Sequence, residues 1–127
     1  MLNISTLQKQ QFAQQHINDF ISKVYKKFSI FFPFFERKYD TKTFKVLVYD
    51  TIDTAQTYNL TTEKQIFKYL LIILIMGENF DISPEHKLLA DFLNDKDAFP
   101  DDKIYNIYAY IQETKPEYYE LSEWLLD

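Results

Sequence analysis

The chain has 127 residues, of which 46% are hydrophobic and 26% charged, and 12 Phe and 10 Tyr dominate its 18% aromatic content; this describes one globular domain, residues 1–127, and excludes a disordered chain. Zero cysteines exclude disulfides, thiolate catalysis and cysteine-based zinc sites, and the single glycine, Gly77, excludes the glycine-rich phosphate cradles of nucleotide enzymes. The net charge of −5 hides a division, with a net +4 on residues 1–68 and a net −9 on residues 69–127, and a pI near 5.0 with Arg37 as the only guanidinium argues against nucleic acid as a partner.

In chain order, Met1-Leu2-Asn3-Ile4-Ser5-Thr6 lacks the basic start and apolar stretch of a secretion signal, which predicts a cytoplasmic protein. Ser5 and Gln8 have the spacing of a capping box, so a first helix is expected from Ser5 to about Phe31. Ile17, Phe20, Ile21, Val24, Tyr25, Phe28, Phe31 and Phe32 recur at three- and four-residue steps along its buried face, and Pro33 ends it. Phe31-Phe32-Pro33-Phe34-Phe35 then reads as a hydrophobic corner turning over the core; an exposed segment there would instead favour a homodimer.

Asp40 or Thr41 caps a second helix through about Tyr58, with Phe44, Leu47, Val48, Ile52 and Ala55 on one face. Phe44, Val46 and Val48 also alternate as in a strand, but the face continues to Ala55, which selects helix. Asn59 suits a left-handed stop, and Thr62 with Gln65 forms the next capping box. The helix from Thr62 to Met76 is apolar on nearly every side from Tyr69 onward and closes at Gly77. Its apolar run, Tyr69 to Met76, is eight residues, against the roughly 20 that cross a bilayer as a helix, so no membrane insertion is expected.

Ser83-Pro84-Glu85 signals a helix start by a capping hydroxyl, a proline at the first position and an acid in the first turn. The helix it opens is expected to bury Leu88, Leu89, Phe92 and Leu93 before the acidic loop Asn94-Asp95-Lys96-Asp97. Two last helices, about Asp101 to Glu113 and Pro116 to Leu126, present Ile104, Ile107, Tyr108, Ile111, Leu121, Trp124 and Leu125 to the core. The fold class is therefore all-α: a compact array of five to six helices around a central hydrophobic helix, with Ile66, Leu70, Ile73 and Leu74 at its centre.

No catalytic constellation assembles from this pattern, and no metal or cofactor is expected. His16 and Asp19 lie one turn apart without further ligands, and His86 sits at a helix start, where capping or packing is the usual role. The five serines lack a Gly-x-Ser-x-Gly setting. Asp95 and Asp97 have the spacing of the first two ligands of an EF-hand, but the sixth position is Pro100 instead of glycine and the twelfth is Asn106 instead of glutamate. Asp101 and Asp102 are adjacent and suit the positive end of a helix better than paired-carboxylate chemistry.

The unusual feature is acid combined with tyrosine in the last third of the chain. Asp91, Asp95, Asp97, Asp101 and Asp102 accompany Tyr105, Tyr108, Tyr110, Tyr118 and Tyr119, more polar rings than a few short helices can bury. Such a face binds a basic protein partner, the carboxylates steering it and the rings supplying area. Asp91, Asp95, Asp97, Asp101, Asp102, Tyr105, Tyr108, Tyr118 and Tyr119 are the candidate partner-binding residues; a solvated face that keeps an aromatic-rich chain soluble is the alternative.

The middle of the chain adds a resemblance. Tyr58-Asn59-Leu60-Thr61-Thr62-Glu63-Lys64, Phe67-Lys68-Tyr69-Leu70 and Met76-Gly77-Glu78-Asn79-Phe80-Asp81 resemble small all-helical proteins encoded beside effectors of bacterial type VI secretion systems. Leu2 and Ile4 ahead of a Gln-rich helix, with Phe32-Pro33 at its end, extend the likeness over about residues 1–95. The sequence departs from that pattern after Asp81, where Pro84 is followed by Glu85-His86-Lys87 rather than by tryptophan. The resemblance implies a cytoplasmic, non-enzymatic accessory of a toxin locus whose partner is a cognate toxin or effector, and it carries over no catalytic residues. An immunity protein that occludes the toxin is the leading expectation, a chaperone or loading adaptor the alternative, and a small helical enzyme a further one.

Overall fold

The computed structural model describes residues 13–118. Every regular element among them is helical: α1 (Ala13–Phe31), α2 (Phe35–Lys38), α3 (Thr41–Gln56), α4 (Glu63–Met76), α5 (Lys87–Leu93) and α6 (Pro100–Thr114), with 3₁₀ turns at Phe80–Ile82, Pro84–His86 and Pro116–Tyr118. The chain is thus all-α. No helix among the described residues is long and apolar enough to cross a membrane. The chain divides into two compact units, with the boundary between Thr57 and Tyr58.

The first unit is built on aromatic packing between α1, α2 and α3. Ile17, Phe20, Ile21, Val24 and Phe28 line the buried stripe of α1, at the three- and four-residue steps that a 3.6-residue period requires. Pro33 follows α1 closely, where it cannot continue the helix, and the phenylalanine corner then splits. Phe35 turns inward and meets Tyr25, Phe28 and Phe44 edge-on, at ring-centroid distances of 5.0, 5.7 and 5.2 Å. Phe32 stands perpendicular to Phe28 at 5.7 Å, whereas Phe31 and Phe34 face solvent. The expected corner is therefore half core and half surface. Edge-to-face rings match the positive rim of one quadrupole to the negative face of the next, so these pairs stabilise the unit beyond their buried area.

Asp40 caps α3 by accepting the Thr43 amide at 2.7 Å, and that bond holds its carboxyl below the usual carboxylate range. The helix buries Phe44, Val48, Thr51, Ile52 and Ala55. Leu47 is only half-buried, because Thr51 rather than Leu47 completes the core stripe. Asn59 takes the left-handed conformation expected of it, at φ 66°.

In the second unit α4 is the central element. Thr62 accepts the Gln65 amide at 3.1 Å while the Gln65 side chain accepts the Thr62 amide at 3.2 Å, a complete capping box. Ile66, Lys68, Tyr69, Leu70, Leu71, Ile72, Ile73 and Ile75 are all buried, so α4 is enclosed on nearly every side. Leu74, expected at the centre with Ile66, Leu70 and Ile73, is half-buried. Gly77 ends the helix at φ 102° and ψ 156°, donating its amide to Ile73 at 2.7 Å. The chain then turns through left-handed Asn79 and seats Phe80 against Tyr69, ring centroids 5.2 Å apart.

The next segment differs from its sequence signal. Ser83 makes no side-chain cap; Pro84 opens a 3₁₀ turn instead, and α5 starts only at Lys87. Leu89 and Leu93, four apart, are the buried residues of this seven-residue helix, while Leu88 is exposed and Phe92 half-buried, since two turns can bury only one narrow stripe. Helix α5 packs on the Phe80–Ile82 turn and on α6, and α6 packs on α4 and buries a stripe of Ile104, Ile107, Tyr108 and Ile111. The expected start at Ser5, the tail of the last helix with Leu121, Trp124 and Leu125, and the candidate Tyr119 lie outside the described residues.

Gly77 sits in a backbone region that side chains avoid, although a Cβ added there meets nothing within 4 Å. Gly77→Ala is therefore expected to destabilise the protein by about 1–3 kcal/mol through backbone strain alone. Urea unfolding measures this, and an alanine variant as stable as the parent would contradict the assigned stop.

Candidate functional site

The acidic edge is built from the end of α5, the following loop and the first turn of α6. Asn94 closes α5 by donating its side-chain amide to the Ala90 carbonyl at 2.9 Å. Asp95 then folds the loop on itself, its Oδ1 accepting the Asp97 amide at 3.0 Å, the short-range bond that makes Asp a turn residue. Pro100 opens α6 at the position where a missing N–H costs nothing, and Asp101 and Asp102 fill the first turn, where the helix dipole favours negative charge.

Two long-range bonds fix where α6 begins. Asp101 Oδ1 accepts from Gln65 Nε2 at 3.0 Å, so the residue that caps α4 also holds α6. Lys103 is buried and donates its ammonium to the Tyr58 carbonyl at 3.0 Å. Tyr58 in turn donates its hydroxyl to Asp81 Oδ2 at 2.7 Å and stacks on Tyr69 at 6.4 Å, with rings 17° from parallel. Burial, reinforced by the Asp81 charge, pushes the Tyr58 hydroxyl well above its ordinary 10.0, and burial does the same to Tyr69, whose hydroxyl finds no partner.

Asp91, Asp95, Asp97, Asp101 and Asp102 are all exposed. Four of them stand between residues 95 and 102 with Lys96 as the one cation there. Asp91 is paired with Lys87 one turn earlier at 3.3 Å, an exposed pair of small energetic weight. Tyr105 is 59% exposed and lies four residues after Asp101 and three after Asp102, which puts all three on one face of α6. Tyr108 does not join them. It is 6% exposed, because its position falls on the Ile104–Ile107–Ile111 stripe that packs inward, and its ring lies 6.4 Å from that of Tyr105. The side chain of Tyr118 and the whole of Tyr119 lie outside the described part of the structure.

One further residue belongs to this edge. Phe99 is 77% exposed at the N-cap position of α6, flanked by Asp97 and Asp101. Its signal is positional: a residue just before a helix-starting proline has left the helical period, so no stripe carries its ring inward. Among the described residues no group of three His, Cys, Asp or Glu side chains is placed to hold a metal. His16 is exposed, and His86 lies half-buried at the start of α5 with Nδ1 unpartnered. Comparison with protein-family models, with curated proteins and with solved structures finds no match.

The two stacked tyrosines generate an opposed pair of expectations. Tyr58→Phe removes the bond to Asp81 and is expected to cost about 1 kcal/mol, whereas Tyr69→Phe removes a buried hydroxyl without a partner and is expected to leave stability unchanged or raise it. Both hydroxyls bind their proton more tightly in the folded state. Stability should accordingly hold below about pH 10, the ordinary tyrosine value, and fall as the pH rises beyond it, less steeply in Tyr69→Phe. Denaturant titrations from neutral to strongly alkaline pH test both statements; an equal loss in the two variants would contradict the hydrogen-bond assignment.

Proposed function

We propose that this protein is a protein-binding accessory of a bacterial type VI secretion toxin locus, acting in the cytoplasm as an immunity protein that neutralises a cognate effector. The observation that carries the binding role is the segment from the end of α5 into the first turns of α6, where Asp91, Asp95, Asp97, Asp101 and Asp102 and the rings of Phe99 and Tyr105 are all exposed. The combination has a physical logic. Carboxylates raise the encounter rate with a basic surface, and aromatic rings give lasting area once that surface is desolvated. The start of α6 is held before binding by the Gln65–Asp101 and Lys103–Tyr58 bonds, so less ordering is needed there on association. The toxin-locus setting rests on the resemblance of about residues 1–95 to accessory proteins of such loci.

Asp97 and Asp102 are the residues to reverse, because Asp95 shapes the loop and Asp101 holds Gln65. In Asp97→Lys/Asp102→Lys, affinity for the effector encoded beside the protein is expected to fall at least tenfold, with loss of protection of cells that express that effector. Binding by the parent is expected to weaken as salt rises, as it must when exposed charges steer it. Unchanged affinity and protection in the double variant would overturn the role of this edge.

A further inference from the structure

The first unit carries a surface of the opposite character. Along α1, Lys26 and Lys27 lie three and four residues after Lys23 and four and three before Ile30, on the face turned away from the buried stripe, and all four are exposed. Ile30 is 70% exposed, Phe31 half-exposed and Phe34 68% exposed, three large apolar side chains within five residues at the point where the chain leaves α1. Phe28, Phe32 and Phe35 from the same stretch supply the rings of the aromatic cluster, while Phe31 and Phe34 turn outward. The Arg37 guanidinium lies over the Phe34 ring, 5.5 Å from its centroid. Between residues 23 and 38 the chain has five cations, Lys23, Lys26, Lys27, Arg37 and Lys38, against the single acid Glu36.

We propose that this apolar tip with its cationic surround docks onto the surface of an anionic phospholipid membrane. Ile30, Phe31 and Phe34 would enter the boundary between headgroups and acyl chains, and the lysines would reach the phosphates along their flexible stems. Arg37, stacked on the ring that inserts, carries its charge to the depth where phosphates lie. Charge and size together select this occupant. A net positive rim fits an anionic surface. The exposed apolar area of three such side chains, roughly 400 Å², is about half of what each partner contributes to a standard protein interface, yet it suffices for reversible attachment to lipid. The net −9 on residues 69–127 opposes approach to the same surface, so attachment depends on the tip and is sensitive to salt.

The test is co-sedimentation of the full chain with vesicles of phosphatidylcholine alone and of phosphatidylcholine with about a third phosphatidylserine, at low and high salt, beside retention on immobilised polyglutamate. The expected result is binding to the anionic vesicles at low salt, at least tenfold weaker binding to neutral ones, and at least a tenfold loss in Ile30→Ser/Phe34→Ser. Val46→Ser serves as the control, because Val46 is an exposed apolar residue of α3 outside the patch, and it should bind as the parent does. Circular dichroism checks that both variants keep the parent's helix content. No binding to anionic vesicles, or binding that ignores Ile30 and Phe34, would overturn the proposal. Retention on polyglutamate that depends on Ile30 and Phe34, without vesicle binding, would overturn it in favour of an acidic protein.

Discussion

Helix α4 is the constraint on which the second unit depends. From Ile66 to Ile75 it has almost no side that tolerates water, so the chain around it must supply cover in every direction. Helix α6 gives it a stripe of isoleucines, and Phe80 lies against the Tyr69 ring. The boundaries of α4 are set by local chemistry. The Thr62–Gln65 box satisfies amides at its start, and Gly77 leaves the helical region at its end in a conformation that a Cβ would strain.

The acidic edge is a consequence of that arrangement. Gln65 serves α4 through its carbonyl oxygen and α6 through its amide nitrogen, so one side chain couples the start of the central helix to the helix that bears Asp101, Asp102 and Tyr105. Lys103 adds a buried cation on the Tyr58 carbonyl. With the base of α6 tied in this way, its solvent face can carry several like charges. Their mutual repulsion is weak in water, the dipole of α6 favours the two in its first turn, and Lys96 offsets part of the remainder.

Much of the fold was legible in the residues. Asp40, the Thr62–Gln65 spacing and Gly77 each signal a helix boundary through a local bond or a local backbone preference, and each performs that role, whereas α3 already stops at Gln56, ahead of left-handed Asn59. What was not legible depends on which of several apolar stripes meets a neighbour. Leu47, Leu74 and Leu88 are as apolar as the residues that pack, yet they lie off the buried lines of α3, α4 and α5. Ser83 has the right neighbours for a cap, but the chain enters a 3₁₀ turn there. For the acidic edge, composition located the aspartates, and the place of Tyr108 on the Ile104–Ile107–Ile111 stripe removes it. Phe99 required the structure, because a ring at an N-cap belongs to no period.

Native-state hydrogen exchange of the free protein tests most directly the claim that α4 organises this unit and that the acidic edge is a rim tied to it. The amides of Leu70 to Ile75 are expected to exchange only with global unfolding, those at the start of α6 next, and those of residues 94–99 fastest. Exchange of the α4 amides as fast as the loop, or ahead of α6, would contradict the account.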